Sequence, residues 1–146
     1  MNLLVDDQLL SRVLRRDVLP DRVDWSQPIF TTGYWYVRLC QAVLGAATRP
    51  GVLSISFMAL IDARRDQALA ALTELPDEIG LLSLRALGPT IGRLRLDHQL
   101  NILSLEALAA AIHLQATVVL STRSPRLEQA LAAEGRHVEV VEQRRM

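Results

Sequence analysis

The stretch from Ile102 to Thr122 reads ILSLEALAAAIHLQATVVLST, and it decides the fold. Ser104 is a suitable helix cap, and Glu106 just behind it suits the positive end of a helix dipole. Alanines and leucines predict a helix running to Leu114. Gln115 and Ala116 turn the chain, and Thr117 to Ser121 is a β-branched apolar run that predicts a buried strand. Nearly every side chain here is small or apolar, so the helix is expected to be covered on most sides. Glu106 is the exception. A carboxylate in such a place needs a partner: a metal, an arginine or a cap.

Working outward, the same alternation recurs along the chain. Asn2 to Val5 predicts a strand that ends at Asp6-Asp7, and Leu9 to Arg16 predicts a helix with Arg12, Arg15 and Arg16 on its polar face. Ile29-Phe30 predicts a short strand, and Thr31-Thr32 caps a helix from Gly33 to Leu44 that Gly45 ends. Arg49-Pro50-Gly51 reads as a turn. Ser56 to Leu75 predicts one long helix stopped by Pro76, and Ile79 to Leu82 a third strand. Ser83 to Leu96 is helical but expected to kink or break at Gly88-Pro89. Pro125 to Ala133 is a helix with proline in its first turn, Gly135 ends it, and His137 to Val141 is a last strand. Glu142 to Met146 is expected to fray. Strands alternating with helices imply an α/β domain, a three-layer α/β/α sandwich with a central, mainly parallel sheet. Residues 1–146 are expected to form a single domain.

Composition narrows the function classes. The chain has 146 residues, and its 16 basic and 16 acidic residues give a formal net charge of zero. That balance argues against broad electrostatic attraction to nucleic acid or membrane, though it leaves room for a local patch. Every basic residue is arginine. The one cysteine, Cys40, lies in an apolar segment and reads as an inert core thiol in a reducing compartment. No signal peptide or membrane-length apolar run is visible, so a cytoplasmic protein is expected.

In open parallel sheets ligands bind beyond the carboxyl ends of the strands. Asp6, Asp7, Glu106 and the segment Ser121 to Ser124 are therefore expected to face one cleft. The motifs LLVDDQLL, IFTTGYWYVRL, LSLEALAAAIHLQATVVLSTRSPRL and AAEGRHVEV, taken in that order, resemble PIN-domain proteins, the metal-dependent ribonuclease fold that includes VapC-type toxins. Asp6 falls on the family's first acidic position, with Gln8 at its polar neighbour, and Glu106 falls on the third. The second falls on Arg38. The fourth falls on Arg123, or on Ser124 in a register shifted by one. Two carboxylates beside two guanidinium groups make a poor site for magnesium or manganese, which want several oxygen ligands. The resemblance thus implies a degenerate pocket, neutralised by Arg38 and Arg123.

Arg38 has apolar neighbours on its helix, so burial and an ion pair with Asp6 or Glu106 are expected. An anion, such as a phosphate or RNA backbone, is the other partner it suits. Asp7 reads either as a helix cap or as a site residue, and Ser121 and Ser124 as substrate or ion-pair contacts. His113 reads as a satisfied or a surface histidine. Tyr34 to Tyr36 suit core or dimer packing, or stacking on a base.

The function expected is a PIN-like protein that binds RNA or a protein partner without efficient metal-dependent cleavage, as a homodimer. The first alternative is a weak toxin–antitoxin-type ribonuclease using Asp6, Asp7 and Glu106 with magnesium or manganese. A second is a phosphoacceptor module, because LLVDDQLLSRVLRR also looks like the start of a receiver domain. Asp62 would then be the acceptor, with Ser83 and Arg123 beside it.

Overall fold

A computed structural model of the chain describes residues 1–45 and 51–141. The elements run β1 (Leu3–Val5), α1 (Asp7–Leu14), β2 (Ile29–Thr31), α2 (Gly33–Leu44), α3 (Val52–Met58), α4 (Asp62–Thr73), β3 (Ile79–Leu81), α5 (Leu84–Asp97), α6 (Ile102–Leu114), β4 (Thr117–Leu120), α7 (Pro125–Ala133) and β5 (Val138–Val140). The five strands form one sheet in the order β3-β2-β1-β4-β5, and every pairing is parallel.

Strand alternation sorts the core into two layers. Leu3, Val5 and Val119 pack with the helices α1 to α4, against Leu9, Leu10, Leu39, Phe57 and Leu72. Leu4, Val118 and Leu120 point the other way, against Leu87, Leu108, Leu127 and Leu131 of α5 to α7. This is the period-two pattern of a strand buried on both faces. The chain winds over one face from β1 to β3 and over the other from β3 to β5. The winding reverses between β1 and β4, and the crevice of such a sheet opens there, at the carboxyl ends of its strands.

Several boundaries differ from expectation. Asn101, not Ser104, caps α6, its side chain accepting from the Ser104 N–H at 2.9 Å. Glu106 is therefore in the second turn. The segment from Ser56 to Leu75 is not one helix. It belongs to α3 and α4, with Ile61 extended between them and Asp62 in the first turn of α4, where a carboxylate complements the dipole. Pro89 does not break α5, which is continuous through it. The carbonyl that loses its N–H partner to the proline belongs to Arg85, an exposed residue on the solvent side of the helix. Thr32 and Gly45 cap α2 as expected, and α7 has its expected ends. Residues 49 and 50 of the expected turn, and the tail from 142 to 146, lie outside the described residues. Among the described residues no helix is long and apolar enough to cross a membrane.

Candidate functional site

Asp6 follows the last residue of β1 and caps α1. Its Oδ1 accepts from the Leu9 N–H at 3.0 Å. Its Oδ2 accepts from both the N–H and the Oγ–H of Ser121, at 2.7 Å and 2.6 Å. Ser121 is buried at the end of β4, so this carboxylate ties the two central strand ends together across the crevice. Burial pushes the Asp6 carboxyl above the usual carboxylate range, against the opposing effect of the Ser121 and Leu9 hydrogen bonds.

Asp7 is the first residue of α1. Its Oδ1 accepts from the Gln8 N–H at 2.9 Å. Its Oδ2 is buried and has no hydrogen-bond partner among the described residues. An ion pair with the Arg38 Nε, 3.5 Å away, is what faces that oxygen. Burial raises the Asp7 carboxyl more than the guanidinium lowers it.

Glu106 is completely buried, with both oxygens on the amino terminus of α2: Oε2 accepts from the Gly33 N–H at 3.2 Å and Oε1 from the Tyr34 N–H at 2.8 Å. Thr32 supplies the third contact of that turn, its Oγ1 accepting from the Trp35 N–H at 3.1 Å. The first turn of α2 has no acid of its own. Glu106 supplies one from the opposite layer, and its charge meets the positive end of the helix dipole. A side chain at position 33 would crowd it: a Cβ there would lie 3.1 Å from Oε2. Of the three partners foreseen for Glu106, the structure supplies the cap.

The arginines are the main correction. Arg38 is not buried: its side chain is 55% exposed, and it pairs with Asp7 rather than with Asp6 or Glu106. The buried stripe of α2 is Trp35, Leu39 and Val43, and Arg38 lies off it among exposed Val37 and Gln41. Arg123 pairs with neither Asp6 nor Glu106. It is exposed, and its Nε donates to Glu128 in the first turn of α7. Ser124 precedes α7 with its own N–H on Glu128 Oε2 at 2.7 Å, and its hydroxyl makes no capping bond. Neutralisation of Asp6 and Glu106 therefore comes from backbone N–H groups and a serine hydroxyl, not from guanidinium.

Elsewhere, Trp35 is buried, Tyr36 donates its O–H to the Leu72 carbonyl, and Tyr34 lies exposed beside the crevice. His113 is exposed. Asp62 lies on α4, 90% exposed and paired with Arg65, not at a strand end. In the flavodoxin-like order that receiver domains share, β1 lies between β2 and β3; here it lies between β2 and β4.

Asp6 accepts three hydrogen bonds and Glu106 two, and Asp7 faces the Arg38 guanidinium. Among the described residues no group of three His, Cys, Asp or Glu side chains is placed to hold a metal ion. No protein-family model matches the sequence, and comparison with curated proteins finds no match.

Proposed function

We propose that this chain is a degenerate PIN-like module that binds a single RNA strand at the crevice and does not cleave it. The observation that carries this reading is the engagement of the acids at the crevice by the fold itself. Asp6 caps α1 and holds Ser121, and Glu106 caps α2. A carboxylate that accepts two or three donors is already compensated, and a divalent cation would have to break those bonds to enter. Cleavage through metal-activated water then has no ligand set to start from. The rim is what remains to act: Arg38 and Arg123 for phosphates and Tyr34 for a base. Exposed Val37 and Leu44 on α2 favour a second reading, in which a protein partner covers that helix.

Calorimetric titration with manganese, paired with a cleavage assay on labelled single-stranded RNA, tests the proposal. No manganese heat, retained RNA binding and intact RNA are expected. Stoichiometric manganese binding with RNA cleavage, both lost in Asp6→Asn, would establish the ribonuclease instead.

A further inference from the structure

We infer that Arg12, Arg15 and Arg64 form a receptor for a doubly charged phosphate group at the carboxyl end of α1. α1 leaves β1 at the crevice, and β2 runs parallel to β1, so the helix ends towards the opposite end of the sheet. The site is therefore separate from the crevice and independent of what the crevice binds.

Three guanidinium groups converge on the segment that closes α1. Arg15 donates its Nε to the Oγ of buried Ser11 at 3.0 Å and its Nη1 to Asp17 Oδ2 at 3.1 Å. Arg12, one turn earlier on the same face of the helix, donates its Nη2 to the Val18 carbonyl. Arg64 comes from α4, whose Ala68 and Leu72 belong to one apolar cluster with Leu10 and Leu14 of α1. Its Nη2 donates to the Arg15 carbonyl at 2.9 Å. Two helices thus bring the three side chains together on residues 15 to 18. Their remaining N–H groups donate to no other described residue.

What sets this cluster apart is positive charge without compensation. Arg38, Arg65 and Arg123 each face a carboxylate. Arg12 and Arg64 face none among the described residues, and a backbone carbonyl seats a guanidinium without supplying a countercharge. Among the described residues, Asp17 is the acid that meets the cluster, and it is half exposed and already accepts the Val18 N–H. Three positive charges against one negative leave an excess of two. The end of the α1 dipole offsets only about half a charge of it. Water gives Arg15 little help, because its side chain is only 11% exposed. Burial pulls the Arg15 guanidinium below its usual range; Asp17 opposes that, and Arg12 and Arg64 add to it. A guanidinium keeps its proton in a protein, so an anion, not deprotonation, relieves the excess. A phosphomonoester matches it, with roughly −1.5 to −2 charges at pH 7 and three acceptor oxygens for the planar guanidinium forks. A lone carboxylate matches neither the charge nor the number of forks.

Calorimetry at constant ionic strength would follow methyl phosphate and methyl sulfate, which has the same shape and a single charge. Wild-type protein, Arg12→Gln, Arg64→Gln and Asp17→Asn are compared, with circular dichroism to show that each is folded. Methyl phosphate should bind saturably and more tightly than methyl sulfate. Arg12→Gln and Arg64→Gln should each weaken methyl phosphate by roughly tenfold to hundredfold, the effect of losing one charged hydrogen-bonding contact. Asp17→Asn should tighten it, because the competing carboxylate is gone; arginines that merely cap a helix end would give no such gain. That variant decides the matter if an arginine variant does not fold. Fluorescence anisotropy on a short 3′-labelled RNA, with and without a 5′-phosphate, separates two sources of the group. Binding that the 5′-phosphate strengthens in the wild type but not in the arginine variants assigns a nucleic-acid end, and indifference to it assigns a small phosphomonoester. A wild type that does not bind methyl phosphate overturns the receptor. So does an affinity unchanged in folded Arg12→Gln and Arg64→Gln, or one that Asp17→Asn fails to raise.

Discussion

Glu106→Gln separates a structural carboxylate from a metal ligand. The substitution keeps volume and shape, so no cavity forms. The glutamine carbonyl can accept from Tyr34 or from Gly33 but not from both, and its amide then faces a second donor. One charge-assisted hydrogen bond is lost, worth about 1.5–3 kcal/mol, together with part of a charge–dipole attraction of about 0.3–2 kcal/mol. Glu106 is fully buried, so solvent does not screen either contribution. A loss of roughly 2–4 kcal/mol follows, or about 6–12 °C in Tm at roughly 3 °C per kcal/mol for a chain of this size. Urea melts followed by circular dichroism at pH 7 measure it, with and without manganese. The loss should be the same in both. A variant within about 0.5 kcal/mol of the wild type, or a wild type that manganese alone stabilises, would refute the capping role.

Asp7→Asn should be at least as stable as the wild type at neutral pH. The folded Asp7 carboxyl titrates above its unfolded value of 3.8. The folded state therefore holds its proton longer, and stability falls as pH rises through the folded pKa. The advantage of Asp7→Asn should thus shrink as pH drops towards 4, which thermal melts across pH check. Arg38→Ala should cost no more than about 1 kcal/mol, because the guanidinium it removes is 55% exposed and water can take its place beside the buried Asp7; a loss of several kcal/mol would mean that the guanidinium compensates the buried carboxylate in a way water does not. Arg38→Glu sets a second carboxylate against Asp7, so it should melt below the wild type, and manganese should raise its Tm while leaving that of the wild type flat. Light scattering at tens of micromolar should show a dimer, formed over the exposed apolar side chains of α2 and α3 such as Val37, Leu44 and Ile55; a monomer refutes that.

What the sequence made legible was local. Thr32 and Gly45 mark the ends of α2, Pro125 marks the start of α7, and the β-branched run at Thr117 marks the central strand; each signal lies within a few residues of its effect. Arg38 was misplaced because α2 is apolar nearly all round. Only the spacing of Trp35, Leu39 and Val43 tells which apolar side chains are buried, and Val37 and Leu44 blur it. Ser121 lies 115 residues from Asp6, and Gly33 and Tyr34 lie 73 and 72 residues from Glu106, so no periodicity reports these contacts. One signal was available. A helix that starts with glycine and has no acid in its first turn leaves both room and need for a carboxylate from elsewhere.

The pairing of β1 with β4 bears on how the chain is made. Of these five strands β1 emerges before the others and becomes the middle strand of the sheet, and one of its edges waits for a partner that begins at Thr117. At about 5–20 residues/s, roughly 4–17 s pass between the emergence of β2 and that of β4. Throughout that interval Leu3, Leu4 and Val5 carry an open hydrogen-bonding edge. The same interval leaves α1 to α4 time to settle on one face before the other layer exists. A nascent chain stalled ahead of Thr117 should therefore be a half-covered sheet, ready to pair with whatever strand arrives first.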